Sequence, residues 1–360
     1  PEKLIDFGYR SIHETAVQGK ATVAALFGKQ PTLSYFEGCS GGGRQSFMEA
    51  QRFPEDFDGI IAGAPGFDRT DAGFQTIGMA QATHMSPESY IPPAKYPLIH
   101  EAAIKACDQV DGLEDGLISE PARCDFDPGV LQCRGADSPS CLTEAQVAAA
   151  RKIYAAVIDP RTGELVSPGL EPGSELNWSN VAGEHPHAMY SSLFRFVVFK
   201  DPDWDYRTLD VAKHLDQARE ADGGILAATS TNLTPFVDHG GRLLIYHGWA
   251  DQNIPPRSSV NYYKALFTAM TEKAVEEGVR LYMVPGMGHC GGGYGPNEFD
   301  MLSVLEQWRE RGRPPKEVVA SLRKDGRVVR TRPLCPYPQI ARYKGSGSID
   351  KAENFVCAAP

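Results

Sequence analysis

Gly38-Cys39-Ser40-Gly41-Gly42 follows a short apolar run, Leu33-Ser34-Tyr35-Phe36, and this junction decides the fold. A G-x-S-x-G sequence between a strand and a helix is the pattern of a nucleophile elbow, where a serine occupies a sharp and strained corner of the chain. The backbone passes closely on both sides of such a corner, so small neighbours are required. Gly38 and Gly42 meet that need, and the spacing predicts a helix opening near Gly43. Upstream, a helical segment over roughly residues 9–27 ends at Gly28; downstream, Asp58-Gly59-Ile60-Ile61-Ala62 reads as a second strand.

Cysteines mark two places on this chain. Cys39 directly precedes the serine, and Cys290 directly follows His289. If the two pair, Ser40 and His289 each lie one residue from the same disulfide; the alternative is that Cys39 is a buried small apolar residue and Cys290 pairs elsewhere. Between them, Arg242-Leu243-Leu244-Ile245-Tyr246 reads as a buried parallel strand whose end presents Asp251. A further run, Val279 to Val284, stops at Pro285-Gly286-Met287-Gly288-His289. The chain order Ser40, Asp251, His289 is the order used by α/β-hydrolases. His247, close to Asp251, is read as packing beside the site and not as the base.

These segments resemble the tannases and feruloyl esterases, a family that also includes mono(2-hydroxyethyl) terephthalate hydrolases. The resemblance is carried by Asp6-Phe7-Gly8-Tyr9-Arg10-Ser11-Ile12-His13, by Tyr35 to Arg44, by Glu49 to Gly59, by Ala62-Gly63-Ala64-Pro65, by His247 to Asp251 and by Pro285 to Cys290. It extends over nearly the whole chain, and the paired Cys-Ser and His-Cys are specific to the family. Gly41 departs from the pattern, since relatives usually carry a larger residue there, often Thr. Its expected contribution is a backbone N–H, which the change leaves in place.

The resemblance implies an α/β fold of the α/β-hydrolase kind with a large lid insertion. Residues 1–65 form core with the elbow, residues 66–238 the lid domain that supplies most of the substrate pocket, and residues 239–360 core with the Asp and His loops. Expected chemistry is hydrolysis of esters of aromatic acids, feruloyl-type first, with gallate and mono-terephthalate esters as rivals. Ser40 attacks the ester carbonyl, His289 takes and returns the proton, and Asp251 holds the imidazole. The Gly41 N–H receives the oxyanion together with a second donor from an earlier loop. Only a helix and a short strand precede Ser40 here, whereas several strands ordinarily precede the elbow. The expectation is that N-terminal strands are missing from this chain and that a preceding segment or a partner chain completes the sheet.

Within the insertion, Cys107-Asp108-Gln109-Val110-Asp111-Gly112-Leu113-Glu114-Asp115-Gly116-Leu117 repeats an acidic residue and a glycine. Carboxylates so close repel unless solvated or bridged by a cation, and Ca²⁺ prefers oxygen ligands. A solvated acidic turn is the other reading of the spacing. Family members hold a lid calcium at such a loop, which implies a structural Ca²⁺ on the side chains of Asp108, Asp111 and Asp115 and the carbonyls of Leu113 and Leu117. Proximity and resemblance together suggest the further pairs Cys107 with Cys124, Cys133 with Cys141, and Cys335 with Cys357. Phe194, Arg195 and Phe199 are expected substrate contacts, the arginine for a carboxylate or phenolic oxygen. His185 and His187 lack a completing ligand and read as a polar turn.

Bulk properties agree. The 360 residues carry 36 basic and 46 acidic side chains, a net charge of −10 with no basic stretch, so nucleic acid and anionic membrane are poor partners. Eight cysteines suggest an oxidising compartment, hence a secreted or periplasmic protein; a reduced cytosolic protein with free thiols is the alternative. No organic cofactor is expected. Two further readings stand beside the esterase: a catalytically silent binding or structural module, and a serine peptidase of the same fold.

Overall fold

The computed structural model describes residues 2–185 and 188–360. Helical structure runs from Glu2 through a π-helical turn at Asp6–Arg10 into α1 (Ser11–Phe27). It stops where Gly28 adopts φ 70° and donates its N–H to the Ala24 carbonyl, a left-handed cap that costs glycine little. No residue of α1 is buried, and Leu26 and Phe27 are largely exposed.

Four parallel strands form the central sheet in the order of the chain: β1 (Tyr35–Cys39), β2 (Gly59–Gly63), β3 (Arg242–Gly248) and β4 (Val279–Val284). The strands begin and end within three residues of the positions read from the sequence, the elbow strand ending at Cys39 where Phe36 was expected, and the elbow helix α2 (Gly41–Arg52) opens two residues earlier than expected. Strand β2 is buried throughout, as parallel strands covered on both faces must be. Alternate side chains feed two cores. Ile60, Leu243 and Leu281 pack with Phe47, Val260 and Leu266 on one face; Ile61, Leu244 and Tyr282 pack with Leu305 and Trp308 on the other. Among the described residues β1 pairs on one side only, with β2.

The chain between β2 and β3 builds hydrophobic centres of its own. Helix α3 (Arg69–His84) joins both, contributing Met79 to a cluster with Tyr96, Ile153 and Trp178, and Phe74 to another with Phe194, Trp204 and Leu215. The insertion is thus a helical body with separate cores, continuous with the sheet through α3. After β4 the chain returns as α4 (Met301–Arg311) and a hairpin, β5 (Val318–Lys324) and β6 (Arg327–Leu334), turning at Asp325-Gly326 with both residues at positive φ. A last antiparallel pair, β7 (Ile340–Tyr343) and β8 (Phe355–Ala358), closes the described chain.

Four disulfides are present: Cys39–Cys290, Cys107–Cys124, Cys133–Cys141 and Cys335–Cys357. All eight cysteines are therefore bonded. No described helix is long and apolar enough to cross a membrane.

Candidate active site

Ser40 sits between β1 and α2 at φ 62° and ψ −117°, a conformation that a non-glycine residue adopts only at a cost of about 1–3 kcal/mol. Its N–H donates to the Gly63 carbonyl at 2.9 Å, and its carbonyl accepts from Arg44 N at 3.0 Å, which fixes the corner from both neighbours. Gly38 is required as expected, since a Cβ there would strike the backbone of Gly42. The second required glycine is Gly43 and not Gly42: a Cβ on Gly43 would meet the Gly63 carbonyl oxygen, whereas one on Gly42 or on Gly41 would meet open space. Reading the turn as symmetric about the serine misplaced the close approach by one residue, because the first turn of α2 and not its cap lies against β2.

Asp251 follows β3 and is fully buried. Its Oδ1 accepts from the backbone N–H groups of Asn253 at 2.7 Å and Ile254 at 2.9 Å. Its Oδ2 lies 2.7 Å from His289 Nδ1 and 3.1 Å from His247 Nε2. Burial pushes this carboxyl up, but the hydrogen bonds and charge of His247 and His289 outweigh it and hold the group near about 2. His247 Nε2 faces two acceptors, Asp251 Oδ2 and the Ile254 carbonyl at 3.1 Å, so it carries a proton; Nδ1 meets Ser259 Oγ at 2.8 Å. The histidine read as packing is thus a hydrogen-bonding partner of Asp251, and its place four residues before Asp251 at the end of a strand was the available signal.

His289 lies in the turn after β4. With Nδ1 committed to Asp251, its Nε2 is the ring nitrogen left for a reacting group. Ser40, Gly41 and His289 line one cavity of about 260 Å³, together with Phe7, Arg44, Arg69, Val181, Tyr190 and Ile254. None of these last six was singled out as a site residue: Phe7 and Arg44 lie in segments that carry the family resemblance, Arg69 opens α3 and Tyr190 belongs to the insertion, and only tertiary packing gathers them.

Phe194, Arg195 and Phe199 are not among the residues lining this cavity. Phe194 is fully buried and packs edge-on to Phe74 and stacked with Trp204, and Phe199 stacks on Phe194 and Trp204. Arg195 donates from Nε to the Trp204 carbonyl at 3.0 Å. The aromatic spacing served a helical core, which is the commoner use of such a run. His185 is exposed, and His187 lies outside the described residues.

The acidic loop folds around Asp108. Asp108 Oδ1 accepts from Asp115 N and Leu117 N, at 3.1 and 3.2 Å, and its Oδ2 from Gly116 N at 2.8 Å. Asp111 Oδ1 accepts from Leu113 N at 3.0 Å, and Asp115 Oδ2 accepts from Arg332 Nη2 at 2.5 Å. Burial raises Asp111, and it raises Asp115 to about 6 even though Arg332 and Arg330 pull it down. The Leu117 carbonyl belongs to a residue only 2 % exposed and accepts no hydrogen bond among the described residues. Hard oxygen donors, one of them an orphaned carbonyl, are of the kind Ca²⁺ takes, although among the described residues the three carboxylates are not gathered into one ligand set and Asp115 is already paired with Arg332.

The chain is similar to known proteins over nearly its whole length. The family model described as tannase and feruloyl esterase matches residues 1–358. The chain is 36 % identical to an uncharacterized esterase of Xanthomonas campestris, with 99 % of this chain and 70 % of that protein aligned. It is 34 % identical to the mono(2-hydroxyethyl) terephthalate hydrolase of Piscinibacter sakaiensis, over 100 % of this chain and 69 % of that one. Among solved structures, feruloyl esterase B from Aspergillus oryzae superimposes with a TM-score of 0.91 at 30 % identity, covering 98 % of this chain and 74 % of that chain.

Proposed function

The chain belongs to the tannase and feruloyl esterase family and is a carboxylic ester hydrolase, and from that premise we propose that it cleaves esters of aromatic acids through a Ser40–His289–Asp251 triad. The observation that carries this reading is the 2.7 Å contact of His289 Nδ1 with the buried Asp251 carboxylate, in a cavity that His289 shares with the strained Ser40.

In the proposed reaction, Ser40 Oγ attacks the ester carbonyl while His289 Nε2 takes its proton. Asp251 fixes the imidazole tautomer and stabilises the cation that forms. The tetrahedral oxyanion points toward the Gly41 N–H at the start of α2, whose first donors have no intrahelical partner. His289 then protonates the departing alcohol, and water releases the acid from the acyl-enzyme. A second oxyanion donor completes the hole; the open edge of β1 supports its arriving with a preceding segment or a partner chain that pairs with that strand.

The substrate class follows the relatives, named for feruloyl esters and for mono(2-hydroxyethyl) terephthalate. Feruloyl-type esters are the first choice, with gallate and mono-terephthalate esters as rivals. Residues 66–238 act as the lid over the cavity, which α3, Val181 and Tyr190 support by lining it. Asp108, Asp111 and Asp115, with the carbonyls of Leu113 and Leu117, hold a structural Ca²⁺ that neutralises the loop. The four disulfides support a secreted or periplasmic location.

Side-by-side hydrolysis of methyl ferulate, methyl gallate and a mono-terephthalate ester, with fluorophosphonate labelling of Ser40, tests the proposal. Absence of both labelling and turnover would leave the silent-module reading standing. Cleavage of peptide amides in preference to esters would favour a peptidase.

A further inference from the structure

Glu49, in the last turn of α2, is fully buried. Neither of its carboxylate oxygens has a hydrogen-bond partner among the described residues, and both are out of reach of solvent. A buried polar group left in this state is costly, so its surroundings should show what it serves. Two further side chains converge on it. His13 of α1 meets Asp56, in the turn after α2, at 2.6 Å between Nδ1 and Oδ2. One nitrogen or oxygen from each of His13, Glu49 and Asp56 lies within 4.8 Å of the other two.

The three groups are held from outside. The His13 ring stacks on Phe53 with centroids 3.9 Å apart, which fixes the plane of the imidazole. Phe53 N donates to the Glu49 carbonyl at 2.9 Å and Asp56 N to the Phe53 carbonyl at 3.0 Å, so both carboxylates stand on one continuous corner. Side-chain exposure is 29 % for His13 and 14 % for Asp56, which leaves the cluster a solvent side opposite the buried Glu49. Positive charge is scarce: Lys20 of α1 bears on Glu49 from a distance, lies over the Phe57 ring at 5.8 Å and makes no ion pair among the described residues. A proton on Glu49, which burial first and Asp56 second favour, answers part of the repulsion.

We propose that His13, Glu49 and Asp56 form a second cation site, which takes a divalent ion of the zinc type and clamps α1 to the elbow helix. One imidazole nitrogen and two carboxylate oxygens are a mixed donor set that Zn²⁺ accepts, with water in the remaining position, whereas Ca²⁺ takes about six to eight oxygens. A tetrahedral ion with bonds of about 2.0–2.2 Å holds its ligand atoms about 3.3 Å apart. That spacing falls between the 2.6 Å contact and the 4.8 Å limit of the cluster. The clamp matters because α1 buries no residue of its own and has little else to hold it. Glu49 stands nine residues along the helix from Ser40, about 13 Å at the helical rise, so the ion acts on stability and not on the reacting atoms. The site is separate from the acidic loop and does not depend on the esterase reading.

The test first saturates the 360-residue chain with calcium, to satisfy the acidic loop, and then titrates Zn²⁺ by calorimetry into wild type, His13→Gln and Asp56→Asn. Wild type should bind one Zn²⁺ per chain more than either variant. Zinc should raise its melting temperature by at least about 3 °C and move the variants by less than about 1 °C. Equal stoichiometry in all three proteins overturns the proposal, and so does zinc that binds without raising the melting temperature of wild type. Should a variant fail to fold, wild type alone decides. Zinc should then protect His13 from diethyl pyrocarbonate, read by peptide mass mapping, and a His13 modified equally with and without zinc overturns the site.

Discussion

Removing the Cys39–Cys290 bond should damage catalysis and stability by separable amounts. The bridge closes a sequence separation of 251 residues, for which the chain-entropy relation gives an upper figure of about 5 kcal/mol at 25 °C, with measured losses for native bridges falling in a range of about 2–5. Catalysis depends on something more local. Ser40 has φ 62° and Cys290 φ 63°, both left-handed conformations in residues with side chains, and the bond joins the two short segments that contain them. Such conformations persist only where the surroundings over-determine them. The double variant Cys39→Ala/Cys290→Ala avoids a stray thiol and leaves both sheet cores intact. In guanidinium unfolding it should lose about 2–5 kcal/mol, and well below its melting temperature its kcat/KM should fall at least tenfold, about 1.4 kcal/mol of barrier. A variant with wild-type kcat/KM, or one destabilised by less than about 1 kcal/mol, would refute the reasoning.

Ser40→Ala and His289→Ala should each lower ester turnover by about six orders of magnitude and Asp251→Asn by about four, with circular dichroism unchanged, because the members act as a unit; near-normal activity in Ser40→Ala ends the mechanism. Asp251 is held near about 2, so the stability it contributes is present above its ordinary value near 3.8 and drains away as pH falls toward 2. That amounts to about 2 kcal/mol, and Asp251→Asn should remove this acid limb from the unfolding profile. Glu49 on α2 is fully buried, and burial first and Asp56 second push it up to about 8. The folded state therefore keeps a proton that the unfolded chain releases, and stability falls as pH rises from about 4.5 toward 8; Glu49→Gln should flatten that decline in thermal melts, and an unchanged slope counts against it. Chelation of Ca²⁺ should lower the melting temperature more than it lowers the rate at low temperature, and protein purified with calcium that contains none by elemental analysis defeats the metal assignment.

What could be read from the sequence was local or chemically singular. The glycine stop at Gly28, the apolar strands and the elbow are decided by neighbours in the chain, so their positions came out within three residues. His289 and Asp251 were visible because each closes a strand on a distinctive turn. The tightness around Gly43 was not, since the atom it avoids, the Gly63 carbonyl oxygen, belongs to another strand. Nor were the cavity walls: nothing in the segments around Phe7, Arg69 and Tyr190 states that they meet. Conversely, the run from Phe194 to Phe199 has the same composition whether it lines a pocket or fills a core, and only packing against Phe74 and Trp204 decides.

Strand β1 is held along one edge by a ladder from Tyr35↔Gly59 to Cys39↔Gly63. A strand bonded in this way has a competing register two residues away, a slide of about 6.6 Å that keeps every side chain on its own face. Hydrophobic burial discriminates poorly between the two alignments, yet in the displaced one Ser40 is carried away from His289. Cys290 lies beyond β4, the opposite edge of the described sheet, so its bond to Cys39 ties the two outer strands across the middle pair. Oxidation therefore selects the alignment: a chain that closes this bridge has chosen the register in which nucleophile and base meet.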